Sequence, residues 1–195
     1  MDDKNKVEQV VLLGLVTVLG ATVTLYAALA ALVVSAAAAI VVCAVGPFLK
    51  SSETMTPPVR WTVLLAVGFS VSWILGSFAP WLLPIPERAH LFIRISGLMP
   101  VVFHAEASRA AETPDWKSDA LVSWIIFGVL LVLTGLVREF FGRGTIAGYL
   151  VFTGWTIPAD FFSSPVGAFL VPATVILLAR IFAGVLQTRR QRGAS

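Results

Sequence analysis

The chain has 195 residues, 57% of them hydrophobic and 13% charged, with a mean hydropathy of +0.89, and this excludes a fold whose main boundary is water. A formal charge of +3 and a pI near 9.4 come from basic residues dispersed at the edges of apolar stretches, with a C-terminal group of arginines suited to anionic headgroups. That distribution argues against nucleic acid as a partner. The only cysteine, Cys43, excludes a disulfide within the chain and cannot by itself hold a structural zinc or an iron–sulfur cluster; it reads as a small buried hydrophobe.

A membrane-crossing helix needs roughly 20 apolar residues, and such stretches lie at about 9–27, 28–49, 61–83, 89–107, 119–137 and 165–187. They predict an all-α integral membrane protein of about six transmembrane helices, in one domain over 1–195, with a basic cytoplasmic tail at 188–195. The N-terminal run Met1-Asp2-Asp3-Lys4-Asn5-Lys6 is followed by no small-residue cleavage site, so the first apolar segment is expected to be retained as a span. Val7 to Leu49 is too long for a single crossing and is expected to turn back in a tight hairpin near Tyr26-Ala27-Ala28. Gly14, Gly20 and several threonines interrupt the first segment, and Arg94, Ser96, Gly97 and Pro100 interrupt the fourth. Broken or half helices are expected at both places.

Positive charge in short connections is retained on the cytoplasmic side. With the N-terminus inside, that side carries Lys4, Lys6, Lys50, Arg60, Arg109, Lys117, Arg189, Arg190 and Arg192, and the other carries Arg88, Arg138 and Arg143. Both termini are therefore expected in the cytoplasm. The chain divides at Pro84-Ile85-Pro86 into halves of similar layout, about 9–83 and 89–187. Each has an interrupted first segment, a second span, and a third span reached through a polar loop. Three spans per half give two repeats of opposite orientation, whose interrupted segments should meet at the repeat interface or against a partner.

Four stretches carry a resemblance. They are Leu12-Leu13-Gly14-Leu15-Val16 with the small residues that follow it through Thr22, Ala27 and Ala31; His104-Ala105-Glu106-Ala107; Val137-Arg138-Glu139-Phe140-Phe141-Gly142-Arg143-Gly144-Thr145-Ile146; and Ser164-Pro165-Val166-Gly167-Ala168-Phe169. The third resembles the Arg-Glu-x-x-Gly-x-Gly-Thr turn that ends the fifth helix in integral-membrane subunits of the Rnf and Nqr redox pumps. The fourth is similar to the Pro-Pro-Gly-Ala-Phe stretch that opens their last helix. In order, spacing and length the chain resembles the RnfE and NqrD type. The resemblance implies a six-helix inverted-repeat subunit that pairs with a related subunit of opposite topology. The pair shares an intramembrane iron–sulfur cluster, while flavin-bearing partners carry other steps and electron flow is coupled to sodium or proton movement. It also implies a bacterial inner membrane.

The chain departs from that pattern at both ligand positions. Val16 stands where the first repeat of the family has a cysteine, and Leu98-Met99 stand over an Asn-Cys pair in the second. Valine is no ligand and a thioether is a poor one for ferric iron. No cofactor is therefore expected to be bound by this chain alone, and any iron–sulfur or flavin group is expected in partner subunits.

Charged residues inside apolar segments need a physical reason. Arg94 is a candidate to hold an anionic lipid headgroup, a quinone carbonyl or a partner carboxylate, or else to snorkel to the interface. His104 and Glu106 are candidates for proton transfer, or for solvating a helix end and pairing with Arg109. Arg138 and Glu139, with Gly142 and Gly144, are expected to form a helix-ending turn with an interface role. Arg180 is expected to reach the cytoplasmic headgroups. Trp61, Trp73, Trp81, Trp116, Trp124 and Trp155 read mainly as interfacial anchors, and 140–164 as a loop on the outer surface or against a neighbour. No nucleophile with its base, phosphate loop or paired-carboxylate site is present, so no catalytic site of its own is expected.

Three functions fit these readings. The first is a scaffold or coupling subunit of an Rnf- or Nqr-like complex. The second is an accessory subunit of another respiratory or photosynthetic membrane complex. The third is a small transporter. The first two predict other membrane subunits as partners, beside lipid.

Overall fold

The computed structural model describes residues 20–51, 55–109, 116–152, 161, 162, 164, 166–174, 177 and 181, without the side chains of 50, 51, 57, 104–109 and 116–120. Alanine-rich sequence with no glycine between Leu25 and Val45 favours helix, and α1 runs over Leu25–Ser51. Helix α2, Pro57–Leu82, starts with two prolines, whose missing N–H groups cost nothing in a first turn, and stops before Pro84-Ile85-Pro86. Two short helices follow, α3 over Glu87–Ile95 and α4 over Leu98–Arg109, and then α5 over Trp116–Arg143.

Three stretches, Leu25–Leu49, Pro58–Leu82 and Leu121–Arg143, are long and apolar enough to cross a bilayer. The chain is thus a multi-pass membrane protein, and these stretches correspond to the segments expected at 28–49, 61–83 and 119–137. The expected span at 89–107 is divided at Ser96-Gly97 into α3 and α4. The turn expected at Tyr26-Ala27-Ala28 lies earlier, at Thr22-Val23-Thr24, and residues 26–28 are already helical. Hydroxyl side chains that compete for backbone hydrogen bonds explain the shift, because alanine offers no such competitor. Most of segment 9–27 and much of 165–187 fall outside the described residues; within the latter, 166–174 are helical.

The all-α expectation needs one amendment. After α5, β1 (Thr145–Ile146) and β2 (Tyr149–Leu150) form an antiparallel hairpin, pairing Thr145 with Leu150 and Ile146 with Tyr149. Its two turn residues, Ala147 and Gly148, have φ of 51° and 77°; positive φ at both central positions suits the twist of a two-residue hairpin.

The packing is inverted relative to a water-soluble protein. Large side chains such as Ile40, Phe48, Phe78, Trp81 and Leu82 point outward, while the interior is built largely of Ala21, Ala27, Ala28, Ala30 and Ala31 with Ile93, Phe103, Phe127 and Leu131. Lipid is as apolar as leucine, so helices associate through close backbone approach at small residues. Gly135 of α5 faces α1 so closely that a Cβ there would lie 2.7 Å from the Cβ of Ala28. On α2, Gly68, Ser72 and Gly76 recur every fourth residue and present one face to the junction of α3 and α4.

Gly135→Leu is expected to lose about 1–3 kcal/mol of stability by overpacking, and to lower the thermal midpoint of the purified protein in mild detergent. Val129→Leu, on the outward face of the same helix, should leave it unchanged. Equal midpoints for the two variants would contradict the close α1–α5 contact.

Candidate functional site

A helix start buried within the protein leaves N–H groups that need acceptors there. The break before α1 meets this need in two ways. Thr24 is the N-cap: its Oγ1 accepts from Ala27 N–H at 3.2 Å, and its carbonyl accepts from Ala28 N–H at 3.1 Å. The Leu25 N–H donates to Glu139 Oε2 at 2.7 Å. The same carboxylate accepts through Oε1 from Gly148 N–H at 2.7 Å and from the Thr145 hydroxyl at 3.1 Å. It sits at the positive end of the α1 dipole, where a negative charge is favoured.

Arg138 works beside it. Its Nη1 donates to Thr22 Oγ1 at 2.8 Å, its Nε to the Phe162 carbonyl at 2.9 Å, and its Nη2 to the Ser164 carbonyl at 3.1 Å. Arg138 and Glu139 are 2% and 1% exposed, so an adjacent pair of opposite charges is sealed inside the chain with several hydrogen bonds each, the condition under which buried charges are tolerated. Phe140, Phe141, Phe152 and Phe162 pack around this end, with ring centroids 5.2 Å apart in the pair Phe141–Phe162 and 5.3 Å apart in Phe140–Phe152. The helix-ending turn expected from the sequence is present one turn later than the charges. Gly144, at φ 65°, donates its N–H to the Phe140 carbonyl at 2.9 Å and closes α5. Gly142 is still helical and buried. Arg138 and Glu139 therefore do not end their own helix; they support the start of another.

The second break is held by neutral groups. The Ser96 hydroxyl bonds the Ile93 carbonyl at 2.7 Å and the Ala31 carbonyl of α1 at 3.1 Å. Ser72 of α2 donates to the Arg94 carbonyl and accepts from Gly97 N–H at 3.0 Å. Gly97 allows this approach, since a Cβ on it would collide with the Ser72 side chain and lie 2.9 Å from the Gly68 carbonyl. The two interrupted segments meet: Ser96 reaches Ala31, and Gly20, just before the first break, lies against the Phe92 ring of α3 so tightly that a Cβ would collide with it.

Met99, at the position expected to replace a ligand, is the second residue of α4, half-buried against the alanine-rich core. Val16 lies outside the described residues. Cys43 is exposed while its neighbour Val42 is fully buried against Leu64 and Val101, which corrects the expectation of a buried thiol; a small polarisable side chain is tolerated facing lipid. A thioether at 99 and an outward thiol at 43 do not fit the ligand set of an iron–sulfur cluster. Among the described residues no three His, Cys, Asp or Glu side chains gather closely enough to hold a metal ion. His104 and Glu106 lie on α4, with side chains outside the described part of the chain, and Arg180 is likewise outside it. Arg94 sits beside Trp73, its guanidinium carbon 5.1 Å from the ring centroid. Of the tryptophans expected as anchors, Trp73 stays exposed beside Arg94, while the Trp124 indole N–H reaches the Ser35 hydroxyl at 3.3 Å. Ser72 was not legible as a site residue, although the four-residue spacing of Gly68, Ser72 and Gly76 marks its face.

Removing Glu139 with alanine leaves three donors without their acceptor at this buried end of the molecule. The expected loss is about 3–5 kcal/mol, read as a lower thermal midpoint in detergent. Arg138→Lys, which lacks the fork that reaches three acceptors at once, is expected to lose about 1–3 kcal/mol. An Arg138→Met/Glu139→Leu double variant should lose less than the sum of its single changes; strict additivity would mean that the two residues do not act as one unit.

In sequence the chain is similar to the NqrD component of the Na(+)-translocating NADH-quinone reductase. The relative from Tolumonas auensis is 25% identical over 139 residues, covering 68% of this chain and 60% of that protein. Those from Shewanella loihica and Shewanella woodyi are each 24% identical over 129 residues, covering 63% of this chain and 60% of theirs. The chain thus matches about 60% of the length of these curated relatives. No family model and no solved structure matches it.

Proposed function

We propose that this chain is a membrane subunit of an Nqr-like, ion-translocating electron-transfer complex, in which it acts as a scaffold or coupling partner without iron–sulfur ligands of its own. The observation that carries this reading is the similarity to three NqrD proteins over nearly two thirds of the chain. The motif Arg138-Glu139 with Gly144 supports it further, because those residues hold the broken-helix architecture together. In this reading the two halves of the chain are inverted repeats, the chain lies in a bacterial inner membrane with both termini cytoplasmic, and a related subunit of opposite topology packs against it. Electrons pass through iron–sulfur and flavin groups held by the partners. Val16 and Met99 occupy the positions where the resemblance implies ligands, and the neutral hydroxyls at the second break offer iron no thiolate.

The test is purification of the tagged native protein in mild detergent, with mass spectrometry of what travels with it and electron-paramagnetic-resonance spectra. Co-purifying flavin and iron–sulfur subunits are expected. An unrelated large complex would replace this reading with an accessory role, and transport by the chain alone would replace it with a transporter. A Val16→Cys/Met99→Cys variant of the native complex is expected to gain iron and a new paramagnetic signal. No gain beside a cysteine-bearing partner would overturn the assignment of those two positions.

A further inference from the structure

Arg94 and Arg138 lie near the two breaks, and their surroundings differ. The Arg138 guanidinium donates to Thr22 and to the carbonyls of Phe162 and Ser164. Arg94 is half-buried, and among the described residues its Nε, sealed from solvent, meets no hydrogen-bond acceptor. Of the carboxylates whose side chains are described, Glu139 is engaged at the other break, and Glu87 stands on the exposed first turn of α3, about two turns away.

The depth of Arg94 follows from its neighbours. Helix α2 has 26 residues and is therefore about 39 Å long, overhanging a hydrocarbon layer of about 30 Å by only about 5 Å at each end. Trp73 is nine residues, about 14 Å, from the end of α2 at Leu82. With α2 upright and centred in the bilayer, the Arg94 guanidinium, beside that ring, is about 9 Å inside the apolar layer. Its stem cannot move freely toward the headgroups. The lack of a side chain on Gly76 lets Arg94 press against α2, and a Cβ at Gly76 would lie 2.9 Å from Arg94 Cγ and 3.0 Å from its Cα. Beside the charge the surface is apolar and open, with Phe69 and Trp73 on α2 and Leu91 one turn away on α3, which are 39%, 40% and 54% exposed.

We infer that Arg94, laid on the face of Trp73, is the docking point for an aspartate or glutamate on a transmembrane helix of a partner protein. A lipid phosphate is confined to the headgroup layer, whereas a side chain on a neighbouring helix can meet the guanidinium at any depth. A carboxylate also matches the planar guanidinium fork, and the cation–π contact with Trp73 pre-orients that fork before the partner arrives. The neighbouring apolar side chains supply the dry surface on which a second helix packs. This inference rests on the proposed function only in that the chain has a membrane partner; it does not require the partner to be a redox protein.

The experiment uses the native complex. Arg94→Gln and Arg94→Lys variants are purified beside the unaltered chain, and a photoreactive benzoylphenylalanine replaces Leu91 in each. Arg94→Gln should reduce recovery of one partner, and its crosslink to position 91, by at least about tenfold, while the chain itself stays at its normal level in membranes. Arg94→Lys should fall between the two. Selection for restored assembly from Arg94→Glu should yield Lys or Arg in place of an acidic residue in a partner helix. Unchanged recovery with Arg94→Gln, crosslinks to lipid alone, or a chain that purifies without partners would overturn the inference. An Arg94-dependent crosslink to an unrelated complex would uphold it while the redox reading failed.

Discussion

A helix whose start is buried in the protein needs an acceptor for its first N–H groups, and at Leu25 that acceptor is a carboxylate oxygen of Glu139, on a different helix. One oxygen binds the start of α1 and the other binds the hairpin that follows α5. The end of one long helix, the beginning of another and an extramembrane turn are thereby tied to a single buried charge. Arg138 extends the tie to Thr22 and to residues 162 and 164. Because each charged group is held by several hydrogen bonds, both are compatible with the apolar interior. With either charge alone the same burial would be strongly unfavourable.

The second break uses a different chemistry. Ser72 and Ser96 join α2 and α1 to the junction of α3 and α4 through neutral hydroxyls and backbone groups. Such bonds are individually weaker than the charge-assisted ones around Glu139, so the α3–α4 junction is the less firmly held of the two. It is also where Met99 stands and where the Arg94 guanidinium lies over the Trp73 ring. Arg94, the break at Ser96-Gly97 and Met99 lie within six residues of chain.

The packing that frames both breaks follows from the solvent. Large aliphatic and aromatic side chains cover the outside, and alanine, glycine and serine fill the contacts between helices. In lipid, burying leucine yields no hydrophobic gain, while bringing backbones together yields dispersion contacts and shared hydrogen bonds. The four-residue spacing of Gly68, Ser72 and Gly76 serves both ends: glycines admit the neighbouring backbone and the serine between them bonds to it. A chain built in this way is suited to hold helices in register for an assembly, in keeping with a scaffold role.

Membrane character, the long helices α1, α2 and α5, the interruptions marked by Thr22 and Thr24 and by Ser96 and Gly97, and the glycine turn at Gly144 were all determined by the sequence alone. Each depends on composition or on the preferences of a few consecutive residues, which act locally. Apolar length places the first break a few residues too late, because it says where a chain must turn only within a turn or so, whereas hydroxyl capping sets the residue. The roles of Glu139, Arg138 and Ser72 were decided only in the tertiary structure. Their partners lie 114, 116 and 25 positions away, and which buried donor meets which buried acceptor depends on how separate helices pack, a property that no local pattern in the chain encodes.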